Sequence, residues 1–111
     1  MLEIVGDVTG KNVLIVDDFT ISGGTLIEMA IACKLRGARD IYACVSHGVF
    51  SKGSAAKIER SPIKELVFTD TVEHRFEPLA SCCKIVSVAR LFAEAIRSIH
   101  RRESVSRLFN S

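Results

Sequence analysis

One stretch of the chain, residues 13–26, constrains the fold more than any other. It begins with consecutive branched apolar residues, Val-Leu-Ile-Val, whose lack of alternation predicts a strand buried on both faces of a parallel sheet. Asp17 and Asp18 follow and predict where the strand reaches water. Gly23 and Gly24 then permit a tight turn before an apolar, helix-forming segment. This order, a strand followed by two acids, two glycines and a helix, predicts that a functional site lies at the carboxyl end of the strand.

The turn and the start of the helix predict an anion site. A helix amino end offers unpaired N–H groups and partial positive charge, so a phosphate can lie against residues 22–25, from Ser22 to Thr25. The acidic pair would repel a phosphate, but it can accept hydrogen bonds from sugar hydroxyls or hold a hydrated Mg²⁺. A sugar phosphate could bind both parts of the site, with its phosphate at the turn and its hydroxyls at the acidic pair. The alternative is an ordinary turn after a polar strand end, with no ligand. The acidic pair alone or the two glycines alone would favour that alternative, but their combination in this order and spacing favours a ligand site.

The same residues resemble the phosphoribosyl-diphosphate binding signature of type I phosphoribosyltransferases, which has an apolar strand, two acids, four residues and then Gly-Gly-Thr. Flanking segments extend the resemblance to ribose-phosphate pyrophosphokinases: residues 5–11, 46–51, 69–71 and 103–109. The resemblance implies an α/β fold of three αβα layers around a mainly parallel sheet. It also implies that residues 1–111 are a single C-terminal domain, with the N-terminal half of the parent enzyme absent.

That family transfers diphosphate from ATP, with Mg²⁺, to ribose 5-phosphate, and so makes phosphoribosyl diphosphate for nucleotide biosynthesis. By position, the resemblance implies that Asp17 and Asp18 contact the ribose hydroxyls, directly or through Mg²⁺, and that residues 22–25 hold the 5-phosphate. Ile21 stands where the family commonly has a third acid, and Ser22 where it commonly has Thr. Because the family places much of the ATP site upstream, we expect the isolated chain to be inactive.

His47, Ser104 and Ser106 are candidate effector or interface residues. His47 follows the second predicted strand, where a hydrogen bond to a loop or an interface is a commoner role than catalysis. The resemblance places both serines, in the Ser-Val-Ser-x-Leu-Phe ending, near a regulatory phosphate or nucleotide site between subunits. It therefore also implies a homo-oligomer.

Two other functions fit part of the sequence. A salvage phosphoribosyltransferase binds phosphate with the same turn, residues 22–25, which we call the anion turn. The Gly-Asp-Val-Thr-Gly-Lys segment and the Ser-Val-Ser-x-Leu-Phe ending argue against this function. A non-catalytic subunit that regulates a pyrophosphokinase would fit the missing N-terminal half.

Composition narrows the setting. A net charge of +2 gives little support for nucleic-acid binding, and no apolar run approaches the roughly 20 residues of a membrane span. Cys33, Cys44, Cys82 and Cys83 form no CxxC pair and predict reduced thiols. We therefore expect a cytoplasmic protein without nucleic-acid or membrane partners.

The remaining elements follow from periodicity. After the first helix come strands near residues 38–46, 66–69 and 84–88, and a short helix near 52–59. A surface loop, residues 72–83, is expected to leave His74 and Arg75 solvated. The last helix, residues 89–102, is amphipathic, and these residues are predicted to face inward: Leu91, Phe92, Ala95, Ile96 and Ile99.

Overall fold

The computed structural model describes residues 3–73 and 78–109, so the prediction for His74 and Arg75 lies outside the described residues. Strands and helices alternate along the chain: β1 (Val13–Thr20), α1 (Gly24–Leu35), β2 (Ile41–Gly48), α2 (Ser54–Glu59), β3 (Ile63–Thr69), β4 (Cys83–Val86), α3 (Ala89–His100) and a 3₁₀ helix (Ser106–Phe109). The strands form one parallel sheet in the order β1-β2-β3-β4. The predicted α/β class with a parallel sheet is confirmed.

The hydrophobic core lies between one face of the sheet and the helices α1 and α2. Because strand side chains alternate between faces, the core receives mostly alternate residues of β1, β2 and β3. These buried apolar strand residues are Ile15, Ile41, Ala43, Val45, Ile63, Leu66 and Phe68. They pack with Leu26, Ala30 and Cys33 of α1, the stripe that the sequence predicts, and with Ile58 of α2.

The opposite face of the sheet is open in the described part of the chain. Leu14 and Val16 are 61% and 71% exposed, so the prediction that β1 is buried on both faces is wrong. The reason is that α1 and α2 pack on the core face. An apolar groove of about 440 Å³ crosses the open face beside Tyr42 and Cys44. Of the predicted αβα layers, the described residues form the sheet and the layer of α1 and α2.

Helix α3 has the predicted amphipathic pattern, but its apolar stripe is exposed. Phe92 is 52%, Ile96 67% and Ile99 68% exposed, and Leu91 is exposed as well, so the prediction that this stripe faces inward is wrong. Among the described residues, the fully buried position of α3 is Ser98. No helix in the described ranges is long and apolar enough to cross a membrane.

Candidate functional site

Strand β1 is longer than the sequence predicts. It continues past Asp17 and Asp18 to Thr20, which pairs with Gly48 at the end of β2. The extra pairing arises because β2 also runs on to Gly48, so the ladder between the two strands does not stop at the acids. The acidic pair thus sits on a hydrogen-bonded strand rather than at a free strand end.

Each carboxylate of the pair accepts a hydrogen bond from the next backbone amide. The N–H of Asp18 donates to Oδ1 of Asp17 at 2.8 Å, and the N–H of Phe19 donates to Oδ1 of Asp18 at 2.8 Å. Asp17 is half-buried, whereas Asp18 is exposed. Their Oδ2 atoms accept no hydrogen bond from the residues described. One oxygen of each carboxylate therefore remains for a ligand.

The turn after β1 presents backbone donors to its open side. Gly23 precedes α1 with a φ of 81°, a left-handed conformation that favours glycine. The N–H of Gly24 donates to Oγ of Ser22 at 3.1 Å. The next two amides, of Thr25 and Leu26, have no acceptor among the described residues, as expected in the first turn of a helix. These two N–H groups are what an anion would need.

One cavity joins the acids and the turn. It measures about 320 Å³ and is lined by the unbroken run of residues 17–26. All the residues proposed from the sequence for the sugar phosphate line it: Asp17, Asp18, Ser22, Gly23, Gly24 and Thr25. A cavity of this size is within the range of small-molecule sites. Carboxylate oxygens and free N–H donors therefore face the same space, where a polar ligand can contact both.

His47 lies apart from the lining of this cavity and is held by a loop. Its Nδ1 is 2.7 Å from Oγ1 of Thr71, just beyond β3. The hydroxyl of Thr69 donates to the carbonyl of Ser46 at 2.5 Å, which ties the ends of β2 and β3 together. A hydrogen bond to a loop is the commoner role expected for this histidine. A part for His47 in effector binding or an interface stays a prediction.

Asp70 connects the end of β3 to the start of α3. Its carboxylate accepts hydrogen bonds from Oγ of Ser87 at 2.6 Å and from the N–H of Val88 at 2.9 Å. The Ser87 hydroxyl, and then the Val88 amide, lower the pKa of Asp70. This carboxylate therefore holds a loop rather than the ligand cavity.

Ser104 and Ser106 form a local turn. The hydroxyl of Ser104 donates to that of Ser106 at 3.0 Å, and the N–H of Ser106 donates to Oγ of Ser104 at 3.1 Å. Neither lines the cavity of residues 17–26. Their proposed effector or interface role stays a prediction.

The structure shows that residues 49–51, Val49, Phe50 and Ser51, support the turn that lines the cavity, although the sequence analysis did not select them for the sugar-phosphate site. The amides of Val49 and Ser51 donate to the carbonyls of Thr20 and Ile21, at 2.9 and 2.7 Å. Backbone hydrogen bonds of this kind leave no side-chain pattern in a sequence. The available signal was Gly48, because a glycine in a strand often marks a site where neighbouring groups approach closely.

Comparison with known proteins gives three concordant matches. The phosphoribosyl synthetase-associated domain family matches residues 1–110. The chain is 47% identical over 109 residues to a ribose-phosphate pyrophosphokinase of Caldanaerobacter subterraneus subsp. tengcongensis, covering 98% of this chain and 34% of that protein. It is 41% identical over 110 residues to the ribose-phosphate pyrophosphokinase of Staphylococcus saprophyticus, covering 99% and 34%.

A solved structure is also similar. The crystal structure of phosphoribosylpyrophosphate synthetase from Mycobacterium smegmatis superposes with a TM-score of 0.85 at 28% sequence identity, over 88% of this chain and 33% of that one. The chain thus spans about a third of the length of the relatives that it matches.

Proposed function

Because the chain belongs to the phosphoribosyl synthetase-associated domain family, we propose that it binds ribose 5-phosphate as one part of a ribose-phosphate diphosphokinase. That enzyme would transfer diphosphate from ATP to the sugar phosphate. The observation that carries the proposal is the single cavity in which the acids and the open helix amino end face the same space. We propose that the chain is the C-terminal portion of such a protein. Because the relatives are about three times as long as this chain, the other parts of the enzyme would lie outside it.

The 5-phosphate would lie against the turn of residues 22–25. The amides of Thr25 and Leu26 point along the start of α1, and the helix dipole adds a partial positive charge there. The hydroxyl of Ser22 can donate a further hydrogen bond to a phosphate oxygen while its oxygen still accepts from the amide of Gly24. Neutral donors of this kind can hold a phosphate without a lysine or arginine.

Asp17 and Asp18 would contact the ribose hydroxyls, directly or through Mg²⁺. Each has an Oδ2 atom with no hydrogen-bond partner in the described chain, and oxygen is the ligand that Mg²⁺ prefers. The described residues contain no group of three or more His, Cys, Asp or Glu side chains that could hold a metal ion. The donor set therefore fits an ion that keeps several waters and is completed by substrate oxygens. When bound, Mg²⁺ would offset the negative charge of the phosphates.

The role of this chain in catalysis would be positioning. Transfer of diphosphate requires the anomeric hydroxyl to be in line with the β-phosphorus of ATP, and most of the gain comes from holding the reactants. The residues lining the cavity would fix the acceptor sugar, while the ATP site would lie in other parts of the enzyme. We accordingly propose that the isolated chain is inactive, and enzyme-like turnover of ATP and ribose 5-phosphate would contradict this.

Two properties of the setting belong to the same proposal. The exposed apolar face beside Leu14 and Val16 supports assembly as a homo-oligomer. All four cysteines are free, which supports a reducing, cytoplasmic location.

A non-catalytic subunit is the second candidate function. The observation that favours it is the match over residues 1–110 to a family described as synthetase-associated. Such a subunit would use the same cavity to sense the sugar phosphate. The two candidates differ in the full gene product, because only an enzyme needs an ATP site outside this chain.

Calorimetric titration of the chain with ribose 5-phosphate, with and without Mg²⁺, tests the proposal. Inorganic phosphate is the control for simple anion binding. We expect binding that depends on Mg²⁺ and is well above that of phosphate. Affinity no better than that of phosphate would contradict a sugar-phosphate site.

A further inference from the structure

The segment that follows β2 is joined to the anion turn by backbone hydrogen bonds. The N–H of Val49 donates to the carbonyl of Thr20, and the N–H of Ser51 donates to the carbonyl of Ile21. Both acceptors immediately precede the turn of residues 22–25. The position of the turn therefore depends on residues 49–51, which are distant in sequence and do not line the cavity.

Phe50, between these two donors, is fixed in the core. Its side chain is buried, and its ring meets the ring of Phe68 edge-on, with centroids 4.8 Å apart and planes at 70°. Its φ of 48° is in the left-handed region, where a non-glycine residue is strained. Burial of the ring against Phe68 holds the backbone in this unfavourable conformation, and that conformation aims the amides on either side at the turn.

Gly48 makes this arrangement sterically accessible. A Cβ at residue 48 would lie 2.5 Å from Cε2 of Phe50 and 3.0 Å from Cδ2 of Phe68. Any side chain there would displace the Phe50 ring. The close approach of Gly48 is therefore required for the ring contact, and the ring contact for the path of residues 49–51.

We infer that Phe50 is a positioning residue for the anion turn: its buried ring holds the amides of Val49 and Ser51 in place, and these amides hold Thr20 and Ile21. The inference deepens the proposed function and rests on it for the identity of the ligand. It assigns to Phe50 no contact with the sugar phosphate. Loss of the ring should loosen the turn, so that its N–H groups no longer converge on one phosphate.

The test compares Phe50→Ala, the milder Phe50→Leu and Gly48→Ala with a control, Ile41→Ala. Ile41 is fully buried at the amino end of β2, away from the turn, so its truncation lowers stability without touching the hydrogen bonds described above. Amide hydrogen exchange at residues 49 and 51 reports the hydrogen bonds themselves. Calorimetric titration with ribose 5-phosphate and Mg²⁺ reports the turn.

We expect Phe50→Ala and Gly48→Ala to speed exchange at both amides and to weaken sugar-phosphate binding on the order of tenfold, the loss expected for one hydrogen bond to a charged group. Phe50→Leu should be intermediate. In the background of Gly48→Ala, Phe50→Leu should restore part of the affinity, because the smaller side chain relieves the clash. A merely structural role of Phe50 would leave the affinity of the folded chain unchanged in all these variants, so no affinity would be lost or restored. Ile41→Ala should likewise leave affinity unchanged under conditions where it is folded.

Fast exchange with unchanged affinity, or unchanged exchange in Phe50→Leu and Phe50→Ala, would overturn the inference. Failure of the proposed function is distinguishable from either outcome. If the wild-type chain does not bind ribose 5-phosphate, the ligand assignment is wrong, and exchange at the amide of Ile27, which donates to the carbonyl of Gly23 at 2.9 Å, then tests whether Phe50 positions the turn.

Discussion

Gly23, which precedes α1, lies directly against Ile58 of α2: a Cβ on residue 23 would be 3.2 Å from Cγ1 of Ile58. Through this contact the anion turn packs against α2, in addition to being joined to β1, the strand that leads into it. The turn is consequently supported from both sides, by residues 49–51 at its beginning and by Ile58 at its end. Its geometry is a property of the core and not of the turn sequence alone.

Replacing this glycine should destabilise the fold more than replacing a comparable one. Gly53 precedes α2 with a φ of 84°, but a Cβ there would meet nothing within 4 Å. Gly53→Ala therefore carries backbone strain alone, about 1 kcal/mol. Gly23→Ala carries the same strain plus the contact with Ile58, and we expect a loss of about 2–3 kcal/mol in the free energy of unfolding. Urea denaturation measures both, and equal losses would show that the Ile58 contact costs nothing.

Asp18→Asn should leave the fold intact and weaken binding of ribose 5-phosphate in the presence of Mg²⁺ by at least about tenfold. The reason is that a neutral amide replaces a carboxylate that would bind the metal or accept a hydrogen bond from a ribose hydroxyl. Calorimetry measures the affinity, and thermal unfolding checks the fold. Asp40→Asn is the matched control, since Asp40 pairs with Lys64 at 3.3 Å and does not line the cavity. Equal affinity in Asp18→Asn and the wild type would remove the acid pair from the sugar site.

The link between Asp70 and the start of α3 should weaken in acid. The Ser87 hydroxyl and the Val88 amide lower the pKa of Asp70 below its usual 3.8. A carboxyl whose pKa is lower in the folded chain stabilises the fold above its unfolded pKa, and this contribution disappears as the pH falls through the folded pKa. The stability difference between the wild type and Asp70→Asn should therefore be constant above about pH 5 and shrink as the pH falls through 3.8 and then through the lower pKa of the folded chain.

Thermal unfolding at several pH values measures this difference, and Ser87→Ala provides the partner control. In Ser87→Ala the pKa of Asp70 should rise back toward its usual value, so the acid-dependent part should be smaller. A difference that stays constant down to the lowest pH would mean that the Asp70 carboxylate contributes nothing to stability.

Cys83 should be an unreactive thiol in the folded chain. Burial, and then the neighbouring Cys82, raise its pKa from 9.0 to about 11. Because the thiolate is the nucleophile, alkylation by iodoacetamide near pH 8 should be about a hundredfold slower in the folded chain than in urea. Fragment-ion mass spectrometry separates Cys83 from Cys82. Equal rates in the two states would show that the thiol is not protected.

Much of the fold and the candidate site could be predicted because the signals are local. The apolar run of β1 and the stripe of Leu26, Ala30 and Cys33 predict a strand and a buried helix face from spacing alone, and both are present. The glycine pair predicts the turn, since few other residues adopt a φ near that of Gly23. The structure then brings every predicted sugar-phosphate residue to one cavity.

The failed predictions concern which surfaces cover one another. An unbroken apolar run indicates a buried strand, yet Leu14 and Val16 face an open groove because both crossover helices lie on the other side of the sheet. Periodicity likewise identifies the apolar stripe of α3, but periodicity does not say what packs on it. The length of β1 was underestimated because pairing with Gly48 outweighs the polarity of the acids.

The sequence by itself therefore determined the elements, their order and the residues that line the cavity at the end of β1, because each depends on residues within a few positions of one another. Only the tertiary structure decided how the anion turn is held, through Ile58, Phe50 and the amides of residues 49 and 51. It also decided that His47 is bound to Thr71 instead of facing the cavity. These contacts join residues far apart in the chain, and their formation depends on packing that no local pattern encodes.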